Sequence, residues 1–168
     1  MKLIFKTLTA ALIMIAFSVN ASAQANATAQ ASATIITPIS IALNTDMNFG
    51  NVAVGATAGT VALATDGSRS ITGGVTLPAT TGTVSAAVFT VSGEDGFTYA
   101  ITLPGTITLT NGGNTMDVGT FTSNPSGTGT LTGASETLNV GATLSVSAGQ
   151  ASGTYTNTTD LTVSVNYN

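Results

Sequence analysis

The chain of 168 residues has no cysteine, no histidine and no tryptophan, and only three of its residues are Lys or Arg. Each absence removes a class of chemistry. Without Cys there is no disulfide, so the fold must be held by sheet packing even in an oxidising compartment. Without His or Cys, Ser–His and Cys–His nucleophile pairs are unavailable, and so are the usual zinc ligand sets. Lys2 and Lys6 stand at the extreme N-terminus, which leaves the remainder without a Ser–Lys pair or a phosphate-loop lysine. Glu94 and Asp95 are adjacent carboxylates in a loop flanked by Gly93 and Gly96, and they read as a solvated turn rather than a general acid–base pair. No loop sets out alternating acidic ligands for calcium. The expectation is a protein that is not an enzyme, with no cofactor and no metal.

What is present begins with an export signal. Lys2 and Lys6 precede an apolar stretch over residues 8–19, and Ala21-Ser22-Ala23 is a small-x-small cleavage pattern. Residues 1–23 are expected to be removed, with the mature chain beginning near Gln24. The apolar stretch falls short of the roughly 20 residues a membrane span needs, so no stable membrane insertion is expected after cleavage. The mature chain then holds one basic residue, Arg69, against seven acids, a net charge of one minus seven, or −6. Nucleic acid and anionic lipid, which require clustered Lys or Arg, are poor partners for it. Arg69 itself reads as a lone surface solubiliser, with anchoring of a carboxylate partner as the alternative.

About 145 residues remain, enough for one domain with a single core. Thr occurs 33 times, and it suits a half-buried pleated surface as Val does, while the 19 Gly supply turns. The mean hydropathy of +0.42 is raised by the leader and by Ala. Short alternating runs recur between turn signals, and no stripe of 3.6-residue period appears outside the leader. Val61 and Leu63 run into the turn Asp66-Gly67. Val84, Ala86 and Val88 change phase into Phe89 and Val91, which suggests a bulge there. Phe97, Tyr99, Ile101 and Leu103 follow across residues 92–96, the pattern of a hairpin. Asn111-Gly112-Gly113 marks a second turn, and Met116, Val118 and Phe121 change phase at Gly119. Leu138, Val140, Ala142, Leu144 and Val146 form the longest clean run, and Tyr155 introduces the final strand. Many short strands with close turns predict an all-β sandwich or barrel.

The two ends carry the same alternation. Leu161, Val163, Val165 and Tyr167 share one face of an expected last strand, and nothing in the sequence after it supplies a pairing strand. Unpaired strand edges attract other chains. At the other end, from Ala25 to Phe49, every odd position is apolar except Thr37 and Thr45. A single strand of that length would reach roughly 80 Å against about 20 Å for an ordinary one, so Pro38 is expected to divide it. Residues 39–49 carry bulky apolar side chains suited to the domain. The earlier part presents Ala25, Ala27, Ala29, Ala31, Ala33 and Ile35. A buried methyl contributes on the order of 0.8 kcal/mol, while fixing each residue's backbone costs about 1–2 kcal/mol. This segment therefore needs hydrogen bonding to a waiting sheet edge, which makes it a candidate donor strand.

The segment Ile35-Ile36-Thr37-Pro38-Ile39, then Met47-Asn48-Phe49-Gly50, Leu103-Pro104, Val140-Gly141-Ala142-Thr143-Leu144, and the ending with Gln150, Gly153, Tyr155, Val163, Val165, Asn166, Tyr167 and Asn168 resemble the secreted bacterial family called domain of unknown function 4402. More distantly, the Asn-Phe-Gly after an N-terminal extension and the tyrosine next to Asn168 are similar to spore-coat-U-type and other chaperone–usher pilins. The chain departs from the spore-coat-U pattern in lacking its cysteine pair, and its extension is unusually rich in Ala. The resemblance implies an immunoglobulin-like β-sandwich over residues 37–168 that lacks its final strand, preceded by a donor extension over residues 24–36. It implies other pilin subunits as partners, with a periplasmic chaperone and an outer-membrane usher. Leu161, Val163, Val165 and Tyr167 become the strand a chaperone would grip, and the destination is a fimbria or pilus at the cell surface. The alternative is a self-contained secreted sandwich that binds a ligand or the cell surface, with Tyr99, Tyr155 and Tyr167 available for stacking. A third reading, a Thr-array surface, has too few and too irregular Thr-x-Thr repeats, at residues 106–110 and 128–132.

Overall fold

The computed structural model describes residues 24–168; the expected leader, residues 1–23, lies outside the described residues. The chain divides into two compact units, Met1–Thr34 and Ile35–Asn168. In the first, residues 24–34 are exposed and belong to no strand, and Gln24 donates to Asn26 Oδ1 at 3.1 Å. No helix occurs among the described residues.

The second unit is all-β, with ten strands in two antiparallel sheets. They are β1 (Ser40–Thr45), β2 (Ala53–Leu63), β3 (Arg69–Thr76), β4 (Ala87–Ser92), β5 (Thr98–Thr102), β6 (Ile107–Asn111), β7 (Asn114–Asn124), β8 (Thr128–Thr130), β9 (Ser135–Val146) and β10 (Ser164–Tyr167). The larger sheet runs β1-β4-β9-β2-β3, and the hairpin β6–β7 joins it through β7 and β9. The smaller sheet runs β10-β5-β8.

β9 organises both. Its alternation buries Leu138, Val140, Ala142, Leu144 and Val146, as the clean periodicity predicts. One edge pairs with β7 from Asn139 to Ser145. The other is shared, first by β4 from Ser135 to Val140 and then by β2 from Ala142 to Val146. Under the first half, Leu138 and Val140 meet Tyr99, Leu131, Val163 and Val165 of the smaller sheet and its flanks, which closes a sandwich core. Under the second half, Leu144 and Val146 meet Val61, Leu63, Val75, Ile107 and Val118, all from the larger sheet, together with Phe49. That second cluster has no strand of the smaller sheet above it.

The turns at Asp66-Gly67 and Gly112-Gly113 close the hairpins β2–β3 and β6–β7, where Leu63 opposes Arg69 and Asn111 opposes Asn114. The phase change at Gly119 is a bulge between Gly119 and Thr122, with Thr120 at φ 49°. Three expectations are corrected. Residues 92–96 do not close a hairpin, because β4 pairs with β1 and β9 while β5 pairs with β10 and β8, so the loop crosses from one sheet to the other. An irregularity does fall at Val88–Phe89, but its extra residue lies in the neighbouring strand: β1 shifts register between Leu43 and Thr45, opposite Phe89 and Val88. β4 itself keeps one register against β9 from Ala87 to Ser92, and the break in its own burial pattern is the adjacent burial of Ala86 and Ala87 beside the Asn48–Ser85 bridge. Finally, Tyr155 does not begin the last strand: residues 147–163 form no strand, and their only ladder contact is the isolated bridge Thr110–Thr156.

Candidate functional site

A cavity of about 1020 Å³ lies beside the second half of β9. Its floor is apolar, with Phe89, Ile107, Val118, Leu144 and Val146. It is not sealed: Met47, Val54, Leu109, Met116 and Leu161 pack on the core yet stay only partly buried, and Leu43 is 57% exposed. The shape is a groove between residues 43–54 on one side and residues 150–161 on the other.

Local chemistry fixes both walls. On the first, the Asn48 side chain accepts from the Gly50 N–H at 2.8 Å, an Asx turn that Gly50 completes at φ +69°. A Cβ at Gly50 would run into the Thr81 carbonyl. Arg69 Nη1 donates to the Phe49 carbonyl at 2.6 Å and the Asn51 carbonyl at 3.1 Å, so Arg69 is a tie for this wall and not the free surface charge the sequence suggested. On the second wall, Thr110 and Thr156 exchange backbone hydrogen bonds at 2.9 and 3.0 Å. Asn157 Nδ2 donates to the Thr108 carbonyl at 2.8 Å and to Asp160. The Asn157 amide, then the Thr159 hydroxyl, hold the Asp160 carboxyl below its usual range. Gln150 donates to Tyr155 Oη at 2.8 Å, and Tyr155 donates to the Ala151 carbonyl at 2.8 Å. Residues 147–163 are thus an ordered wall although they form no strand.

Of the residues singled out in the sequence, Val163 and Val165 are buried, and Leu161 and Tyr167 are half-buried on the same core face. Leu161 borders the groove. β10 pairs with β5 from Ser164–Thr102 to Tyr167–Tyr99, and its outer edge has no strand partner among the described residues. Ala25, Ala27, Ala29, Ala31 and Ala33 are exposed and unpaired, and Ile35 is 97% exposed.

The acidic loop holds more than a solvated turn. Thr37 N–H donates to Glu94 Oε2 at 2.9 Å, Glu94 N–H donates to Tyr167 Oη at 2.6 Å, and the Tyr167 hydroxyl donates to the Thr37 carbonyl at 2.8 Å. Hydrogen bonding from Thr37, its N–H first, lowers the pKa of Glu94 and outweighs the desolvation and the like charge of Asp95 that would raise it. Asp95 accepts from the Gly133 N–H at 2.8 Å. The Tyr167 ring meets Phe97 edge-on, with centroids 5.6 Å apart and planes at 63°. Spacing alone hid this ring of contacts, because its members are 57, 73 and 130 residues apart. The one available signal was Gly93, where a Cβ would strike the Tyr167 hydroxyl.

Among the described residues no three His, Cys, Asp or Glu side chains gather where a metal ion could sit. No helix of the described residues is long and apolar enough to cross a membrane. A family model described as a domain of unknown function, DUF4402, matches residues 39–167. No curated protein matches the chain. No solved structure matches it either.

Proposed function

The chain belongs to the DUF4402 family, a domain of unknown function, and on that premise we propose that it is an exported structural subunit of a surface fibre, its groove filled by the extension of a neighbouring copy. The observation that carries this reading is the groove itself. The second half of β9 has an apolar floor, two ordered walls and no covering strand.

A strand laid there would satisfy two needs together. It would cover the partly exposed Leu109, Met116 and Leu161, at roughly 25 cal/mol per Å² of apolar surface removed from water. It would also find backbone partners along the walls, which an Ala-faced segment needs because its methyl groups cannot offset its ordering cost. Residues 25–35 fit that description by composition. In such a fibre the partners are other copies, a periplasmic chaperone that grips the β10 side before assembly, and an outer-membrane usher. The route is export to the periplasm and then to the cell surface.

The test is sedimentation of the mature chain, residues 24–168, against the triple variant Ala27→Asp, Ala29→Asp, Ala31→Asp. Three carboxylates cannot enter an apolar groove unpaired. The variant is expected to remain a folded monomer that melts below the polymerised parent, because its groove stays unfilled, while the parent forms polymers that grow with concentration. Identical sedimentation of the two would remove the donor role and return the chain to a self-contained secreted sandwich that binds a ligand or the cell surface.

A further inference from the structure

We propose that the contacts joining Thr37, Glu94 and Tyr167 form a clasp that aims the extension away from its own groove and so keeps the exchange between copies. The inference rests on the donor reading above and adds to it what decides between self-closure and assembly.

The argument is one of direction. β1 begins at Ser40, opposite Ser92, and runs to Thr45, opposite Val88, with the groove wall starting at Leu43 and Asp46. β10 runs the other way, from the side of Leu161 at the groove to Tyr167 beside Thr37. Thr37 therefore sits at the end of the unit remote from the groove, and the backbone traced from Ser40 back to Thr37 heads away from it. The clasp holds both the N–H and the C=O of Thr37. Pro38 follows directly and confines Thr37 to extended conformations.

To fill its own groove the extension would have to reverse before Thr37 and retrace residues 37–43, roughly 20 Å at about 3.3 Å per residue. Residues 24–36 span at most roughly 43 Å on the same rise. About seven residues would be left for a wall that runs over residues 150–161. A second copy meets no such shortfall. The clasp makes the reversal harder still, since it fixes the pivot.

The experiment compares the mature chain with Tyr167→Phe, which removes two of the three bonds, and with Glu94→Ala, which removes the acceptor for Thr37 N–H. Sedimentation at matched concentration gives the polymer fraction. A labelled synthetic peptide of residues 24–36 then reports whether the monomers have an open groove. Loosening a hydrogen-bonded pivot is expected to lower the polymer-to-monomer ratio by about tenfold, and the new monomers should refuse the peptide because their own extension has turned back. Unchanged polymer in both variants overturns the proposal, and so do monomers that bind the peptide, since an open groove means that no reversal occurred. If Tyr167→Phe misfolds, Glu94→Ala in its surface loop decides alone. Failure of the donor reading looks different: the triple Asp variant would polymerise like its parent.

Discussion

The two halves of β9 share one alternating pattern and meet different fates. In the first half, Leu138 and Val140 lie beneath the β10-β5-β8 sheet and are fully enclosed. In the second, Leu144 and Val146 are buried as well, but they floor an open groove whose walls are only partly buried. Period-2 patterning specifies which face of a strand is apolar, but it does not say whether anything lies over that face. The contrast teaches that a strand covered by the second sheet over half its length can carry the same alternation throughout.

The comparison can be broken by truncation. Leu138→Ala removes a side chain with 0% exposure from a closed core, and it is expected to lower unfolding free energy by about 3–5 kcal/mol. Leu144→Ala, beside an existing cavity, should cost about 2 kcal/mol or less because the site is already loosely filled. Urea unfolding of the monomeric triple Asp variant, used as the background for both, measures the pair. Equal losses would mean that the groove is as well packed as the closed half.

The closed half also holds a polar tie that sharpens the contrast at high pH. Tyr99 is buried and donates to Glu136 at 2.8 Å, and Glu136 accepts from Thr130 N–H at 3.0 Å as well. Burial first, then the Glu136 bond, pushes the Tyr99 hydroxyl above its ordinary value of 10.0. The folded state therefore binds a proton that the unfolded state releases. Its contribution is complete below pH 10 and declines as pH rises above that value toward the folded pKa. Tyr99→Phe should cost about 1–2 kcal/mol at neutral pH and flatten the alkaline decline, as followed by melting temperature between pH 9 and about 11.

The smallest effect belongs to the open end. Glu94 is held below its ordinary 4.5 by Thr37, so its clasp is intact above that pH and weakens as pH falls through the lowered value. Protection of the Thr37 amide, relative to its intrinsic exchange rate at each pH, is expected to fall at pH values below 4.5 while that of β9 does not change. Simultaneous loss of protection in both would show general acid unfolding instead.

How much of this was legible depends on the range of the interactions. β9, the β6–β7 turn at Gly112-Gly113 and the bulge at Gly119 were all readable, because alternation and turn chemistry act between neighbours in the chain. The crossing between sheets at residues 92–96 was not, because a loop that closes a hairpin and one that changes sheets can share the same Gly, Glu and Asp residues. The fold of residues 147–163 was hidden too: Tyr155 continues a strand-like composition, while the bonds that hold the wall run to Thr108 and Thr110 about 46–49 residues away. Of the candidate site, the core-facing quartet in β10 and before it was visible in the periodicity. The periodicity did not show the groove, since an uncovered face carries the same alternation as a covered one; only the family resemblance implied an open sandwich.

Arg69 is held by two backbone carbonyls of the groove wall, and it is the only Lys or Arg among residues 24–168. Five carboxylates, Asp46, Asp66, Asp95, Asp117 and Asp160, are exposed, and Glu94 and Glu136 are half-buried, with no Lys or Arg side chain free to meet those of another copy. Filaments built from such subunits would repel one another side by side, over a distance set by the ionic atmosphere, about 30 Å at 0.01 M salt and about 8 Å at 0.15 M. Lateral bundling would then be governed by added electrolyte and divalent ions, and the growth of each single filament by the groove alone.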